Sequence, residues 1–223
     1  MQRCNRIRTA AVKLCAVAFF GMQMAPSVAA EESKEPAGSI QLDQDDDKGV
    51  LRMLLDGREA IVYQHGQQLD LAHYYPVRSP SGKLLTIQQT DPYPHHRSIW
   101  FADTVQIAGK RKVSFYNALY SRVDKKAPES PFRDQVRHLE FLTRSVSGDR
   151  AQVVAKLLWE MDLDVPVLDE QRTMTLVDLG DGEYFVDLIF TLTATYGDVA
   201  FVSDAVHYAW PYVRMHPQFS GDS

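Results

Sequence analysis

Three clusters in the chain combine residue types that could do chemistry. The densest is Asp91-Pro92-Tyr93-Pro94-His95-His96-Arg97, which runs into Ser98-Ile99-Trp100-Phe101-Ala102-Asp103. Histidine exchanges protons near neutral pH, and arginine can grip a carboxylate or steady an oxyanion. His95, His96 and Arg97 are therefore the candidate catalytic residues. Trp100 and Asp103 are candidate substrate contacts, since an indole offers a ring an apolar platform. The plainer alternative is that these polar residues only brace their loop. Two adjacent histidines without a spaced third ligand are weak evidence for zinc. No metal ligand is assigned, and no cofactor is identified.

A second cluster, His207-Tyr208-Ala209-Trp210-Pro211-Tyr212-Val213-Arg214-Met215-His216-Pro217, sets aromatics beside histidine and arginine. That mixture suits a saccharide, whose apolar ring faces stack while its hydroxyls need donors and acceptors. His207, Tyr208, Arg214 and His216 join the candidate substrate-binding residues. Against this, Tyr208, Trp210 and Tyr212 share one strand parity and could simply face a core. The third cluster, Glu160, Asp162 and Asp164, would put three carboxylates on one face if a strand ran through it. Paired carboxylates serve glycoside hydrolysis, but alternating acids also make the wet face of an ordinary strand. The chain has no glycine-rich phosphate loop, nucleophile elbow or dinucleotide fingerprint.

The elements that must position these residues read as strands. Pro92 and Pro94 deny ladder hydrogen bonds, so the histidines are expected on an extended loop feeding a strand. Val50 to Leu55 and Glu59 to Tyr63 flank Asp56-Gly57, a pair suited to a tight hairpin turn. Ala151, Val153, Ala155, Leu157 and Trp159 are apolar on one parity, and Tyr184 to Ala194 repeats the pattern. The other face of that second stretch mixes Phe185 and Ile189 with Asp187, Thr191 and Thr193. Turn signals recur at Ser81-Gly82, Ser147-Gly148, Gly180-Asp181-Gly182 and Gly197-Asp198, with no sustained helical stripe between them. The expected fold is all-β, an antiparallel β-sandwich over residues 49–223, incomplete because the chain ends early.

The first 30 residues are distinct. They hold Arg3, Arg6, Arg8 and Lys13 and no acid, then a short apolar stretch from Leu14 to Met22, Pro26 and Val28-Ala29-Ala30. This is the layout of an export leader cleaved after Ala30, which predicts a secreted or periplasmic protein with no integral membrane segment once the leader is gone. The other 193 residues carry 20 basic against 29 acidic side chains, net −9, where the whole chain of 223 has −5. Such a charge lacks the footprint of a nucleic-acid binder. Both cysteines, Cys4 and Cys15, fall in the leader, which removes disulfides and thiol chemistry from the rest. Residues 31–48 hold seven acids against two lysines and are expected to form a mobile acidic linker.

Pro94-His95-His96-Arg97-Ser98-Ile99-Trp100-Phe101 resembles a signature of the secreted bacterial family labelled "methane oxygenase PmoA". Tyr74-Tyr75-Pro76-Val77, Ser79 to Gly82, Glu170-Gln171-Arg172 and Val213 to Pro217 are similar to further blocks of that family. The resemblance covers about residues 49–223 and implies a β-sandwich-like fold and a link to bacterial carbohydrate use. It also implies truncation, because members continue past the His216-Pro217 block. Methane oxidation itself is not expected, since a particulate oxygenase subunit must cross the membrane repeatedly and no such segment follows Ala30. The leading expectation is an exported carbohydrate-active protein, acting on a sugar or other small-molecule ligand by histidine acid/base chemistry. The alternative is a non-catalytic β-sandwich module that binds glycan or protein.

Overall fold

The computed structural model describes residues 9–14, 40–202 and 211–219. They fold predominantly into antiparallel strands arranged as three sheets. One sheet has five strands: β1 (Thr9–Leu14), β9 (Gln135–Ser147), β10 (Arg150–Met161), β11 (Val165–Gly180) and β12 (Glu183–Thr193), in the order β1-β12-β11-β10-β9. A six-stranded sheet runs β14-β6-β5-β4-β3-β2. Its members are β2 (Ile40–Asp45), β3 (Val50–Leu55), β4 (Arg58–Gln64), β5 (His73–Val77), β6 (Ile99–Trp100) and β14 (Tyr212–Val213). The small third sheet joins β7 (Thr104–Ile107), β8 (Lys112–Ser114) and β13 (Val199–Phe201) in the order β13-β7-β8.

The apolar parities place the core. Ala151, Val153, Ala155, Leu157 and Trp159 of β10 are all buried, as are Leu188, Phe190 and Leu192 of β12. They form one cluster with Leu51, Met53, Ile61 and Tyr63 of the six-stranded sheet and Val105 and Val113 of the small one. Phe101 stacks on Phe190 at 4.4 Å between ring centroids, and Phe115 meets Trp159 edge-on at 4.9 Å. The β3–β4 hairpin turns at Asp56 and Gly57, both at positive φ (52° and 71°), as a two-residue hairpin turn requires.

Within this core lies a charged group. Glu170 and Arg172, two apart on β11 and at most 1% exposed, pair at 2.6 Å. Trp159 Nε1 donates to Glu170 at 2.7 Å, and Arg172 Nη1 donates to the Ala72 carbonyl at 2.9 Å. That last bond ties the five-stranded sheet to the chain entering β5.

Two expectations differ from what is seen. The stretch read as a mobile acidic linker contains β2, paired along its whole length with β3. Ile40 and Leu42 alternate toward the core while Asp43 pairs with Arg52 and Asp45 with Lys48, so local charge pairing offsets the repulsion that the composition implied. The Glu160–Asp164 cluster does not share a face. β10 ends at Met161, and Asp162 and Leu163 turn away at positive φ (54° and 81°). Glu160 is held by Arg137 and Asp162 by Arg111 and Arg133.

Candidate functional site

The histidine loop is folded back rather than extended. Tyr93 N–H bonds to the Thr90 carbonyl and His96 N–H to the Tyr93 carbonyl, which closes two successive turns just before β6. The short 3-10 helix Phe115–Tyr120 then brings two tyrosines against the histidines. Tyr116 Oη lies 2.8 Å from His96 Nε2, and Tyr120 Oη 3.0 Å from His95 Nδ1. His95 and His96 are 4.5 Å apart between ring centroids.

His96 Nε2 is engaged by Tyr116, and its Nδ1 is buried without a partner. Burial, with the His95 and Arg214 charges, pushes His96 down to about 4, leaving it a neutral ring and a weak base at pH 7. Burial, then Arg97, also lowers His95. Arg97 is itself a buried brace: it pairs with Asp70, both side chains 2% exposed, and donates to the Pro94 carbonyl.

The other candidate contacts scatter. Trp100 is only 3% exposed, and it stacks with Tyr212 at 4.8 Å and His96 at 5.8 Å instead of offering a free face. Asp103 Oδ1 accepts from the Thr104 N–H, and its carbonyl accepts the Phe115 N–H that starts the 3-10 helix. Arg214 and His216 hydrogen-bond through their backbones to Ser98, Ile87 and Leu85. Of these, Arg214 is close enough to influence His96. His207 and Tyr208 lie outside the described residues.

Two features went unread in the sequence. One is a pair of buried histidines, His65 and His138, 4.7 Å apart between ring centroids beside a recess of about 310 Å³ lined by Asp46, Gly49, Gly66 and Phe141. Gly49 is required here: at φ +63°, a Cβ on it would sit 2.2 Å from Gly66 Cα. Burial lowers both histidines, His138 to about 4. Among the described residues, no group of three or more His, Cys, Asp or Glu side chains could hold a metal ion.

The other is a mainly apolar cleft of about 500 Å³ between β12 and the six-stranded sheet. Leu179, Tyr184, Phe185, Val186 and Leu188 form one wall, and Ile61, Val77, Leu85, Ile99 and Val213 the other. Leu179, Phe185 and Val213 are 54%, 42% and 51% exposed. The one available signal was Phe185, an aromatic on the polar parity of its strand. Tyr184 Oη donates to the Ala60 carbonyl at 3.0 Å and to the Arg78 carbonyl, which pins β12 to the facing sheet at the cleft's end.

An all-β arrangement with an apolar cleft is thus what the geometry of the described residues defines. Residues 51–223 match a family of unknown function (DUF6807), and the chain belongs to that family. The resemblance to the PmoA-labelled family is corrected by this match, and the carbohydrate link drawn from it goes as well. The reading of a carbohydrate-active protein using histidine chemistry is corrected on the same finding, together with the lack of a metal-holding group among the described residues. No curated protein matches the chain. No solved structure matches it either. Among the described residues, no helix is long and apolar enough to cross a membrane.

Proposed function

We propose that this chain is an exported, non-catalytic module of β-sandwich architecture that binds an extended segment of a protein partner in the cleft beside β12. The observation that carries this reading is the cleft itself: mainly apolar, set between β12 and the six-stranded sheet, and lined in part by the exposed Leu179, Phe185 and Val213. Exposed apolar surface of this kind is costly in water and marks interaction surfaces. Its mainly apolar lining, beside a strand edge, favours a peptide over a polar small molecule. The histidine loop contributes rigidity through the Arg97–Asp70 pair, and not chemistry.

Selection of a random peptide library on the full chain tests the reading. Enrichment of peptides with apolar residues at alternate positions, still bound after His96→Ala, is the expected result. No enrichment, or binding lost with His96→Ala in a folded protein, would overturn it.

A further inference from the structure

Strand β12 pairs with β11 along its length, from Asp169↔Thr193 to Gly180↔Glu183. Its other edge is covered over only part of that length. β1 adds there antiparallel, with Thr9 opposite Thr193 and Leu14 opposite Leu188. Among the described residues, the stretch from Glu183 to Asp187 has no strand on that side, and it is this stretch that supplies Tyr184, Phe185 and Val186 to the cleft. An uncovered strand edge presents a row of backbone donors and acceptors that an added strand satisfies.

The register sets the pattern of an acceptable strand. Positions 10, 12 and 14, which are Ala, Val and Leu, stand opposite Leu192, Phe190 and Leu188, all buried. Positions 9, 11 and 13, which are Thr, Ala and Lys, stand opposite Thr193, Thr191 and Ile189. The same six residues fall inside the segment whose charge and small-residue order reads as an export leader.

We infer that the edge of β12 takes its partner as an added antiparallel strand with apolar residues at alternate positions, and that Thr9–Leu14 is a built-in occupant of that edge which leader removal vacates. This rests on the protein-binding reading and names its partner's form and its control. The leader-bearing chain is then closed along Leu188–Thr193, and the processed chain is open from Glu183 to Thr193.

The test uses the full chain with Cys4→Ser and Cys15→Ser. Lys13→Cys with Ile189→Cys, opposed in the register, should form a disulfide under mild oxidation, while Thr9→Cys with Ile189→Cys, four positions out of register, should stay reduced. A fluorescein-labelled peptide of residues 9–14 should bind the Val12→Pro chain at least 10-fold more tightly than the parent chain, because a proline in the middle of β1 weakens its pairing with β12 and frees the edge. The cross-linked chain should not bind it. A reduced in-register pair, or equal peptide affinity for parent and Val12→Pro chains, overturns the inference. If library peptides still require Phe185 in that event, the protein-binding reading stands without it. If the disulfide forms but no peptide needs Phe185, the reading falls and takes the partner strand with it.

Discussion

Arg97 pairs its guanidinium with the Asp70 carboxylate beneath the histidine loop, and each side chain is 2% exposed. A charge so enclosed is tolerated only with its partner, so this pair fixes the loop's position and explains why the residue beside two histidines is not free to meet a ligand.

Arg97→Ala should therefore destabilise the protein by about 3–5 kcal/mol, because it leaves Asp70 buried and unpaired. His95→Ala, at a half-buried position beside the exposed Tyr120, should cost about 1 kcal/mol. Urea denaturation of both variants measures this. Equal small losses would remove the bracing role from Arg97.

The same logic applies to Glu170 and Arg172. Glu170→Leu alone leaves Arg172 uncompensated and takes the acceptor from Trp159, at a cost of about 3–5 kcal/mol. Adding Arg172→Met should recover much of that loss, since an apolar pair of similar volume needs no desolvation. Additive losses in the double-mutant cycle would contradict this.

Acid should unfold the protein through its histidines. Burial, helped by the neighbouring Arg97, pushes His73 down to about 4, and burial, then His65 and Arg172, pushes His138 to about the same value. In the unfolded chain these rings titrate near 6.5, so between pH 6.5 and 4 the unfolded state binds protons that the folded state refuses. Stability is thus full above pH 6.5, falls as pH drops toward 4 and levels off below. His73 alone accounts for about 3 kcal/mol of the fall. Urea midpoints between pH 7 and 4.5 should decline, and His73→Gln should flatten the decline; a flat parent profile would contradict the account.

Much of the fold could be read from local pattern. The β3–β4 hairpin follows from Asp56-Gly57, and the buried parity of β10 follows from Ala151 through Trp159, because a half-buried strand writes its inner face into every second residue. Features that depend on distant pairing could not. Asp70 meets Arg97 across 27 positions and His65 meets His138 across 73, and no local period reports such encounters. The histidine loop was conspicuous by composition, yet its ring contacts are set by Tyr116 and Tyr120, which arrive on a helix of six residues too short to show a stripe. The cleft left one local trace, Phe185 among the polar residues of β12.

The central claim is that the cleft beside β12, and not the histidine loop, is the binding surface. It is tested most directly by the affinity of one library-selected peptide for the parent chain, Phe185→Asp and His96→Ala, each checked for unchanged thermal unfolding. Phe185 is 42% exposed, so its replacement should leave the fold intact while weakening the peptide by about 30-fold or more, as loss of a central aromatic anchor does. His96→Ala should bind as the parent does. Undiminished binding by Phe185→Asp, with binding lost in a stable His96→Ala, would contradict the account and return the site to the loop.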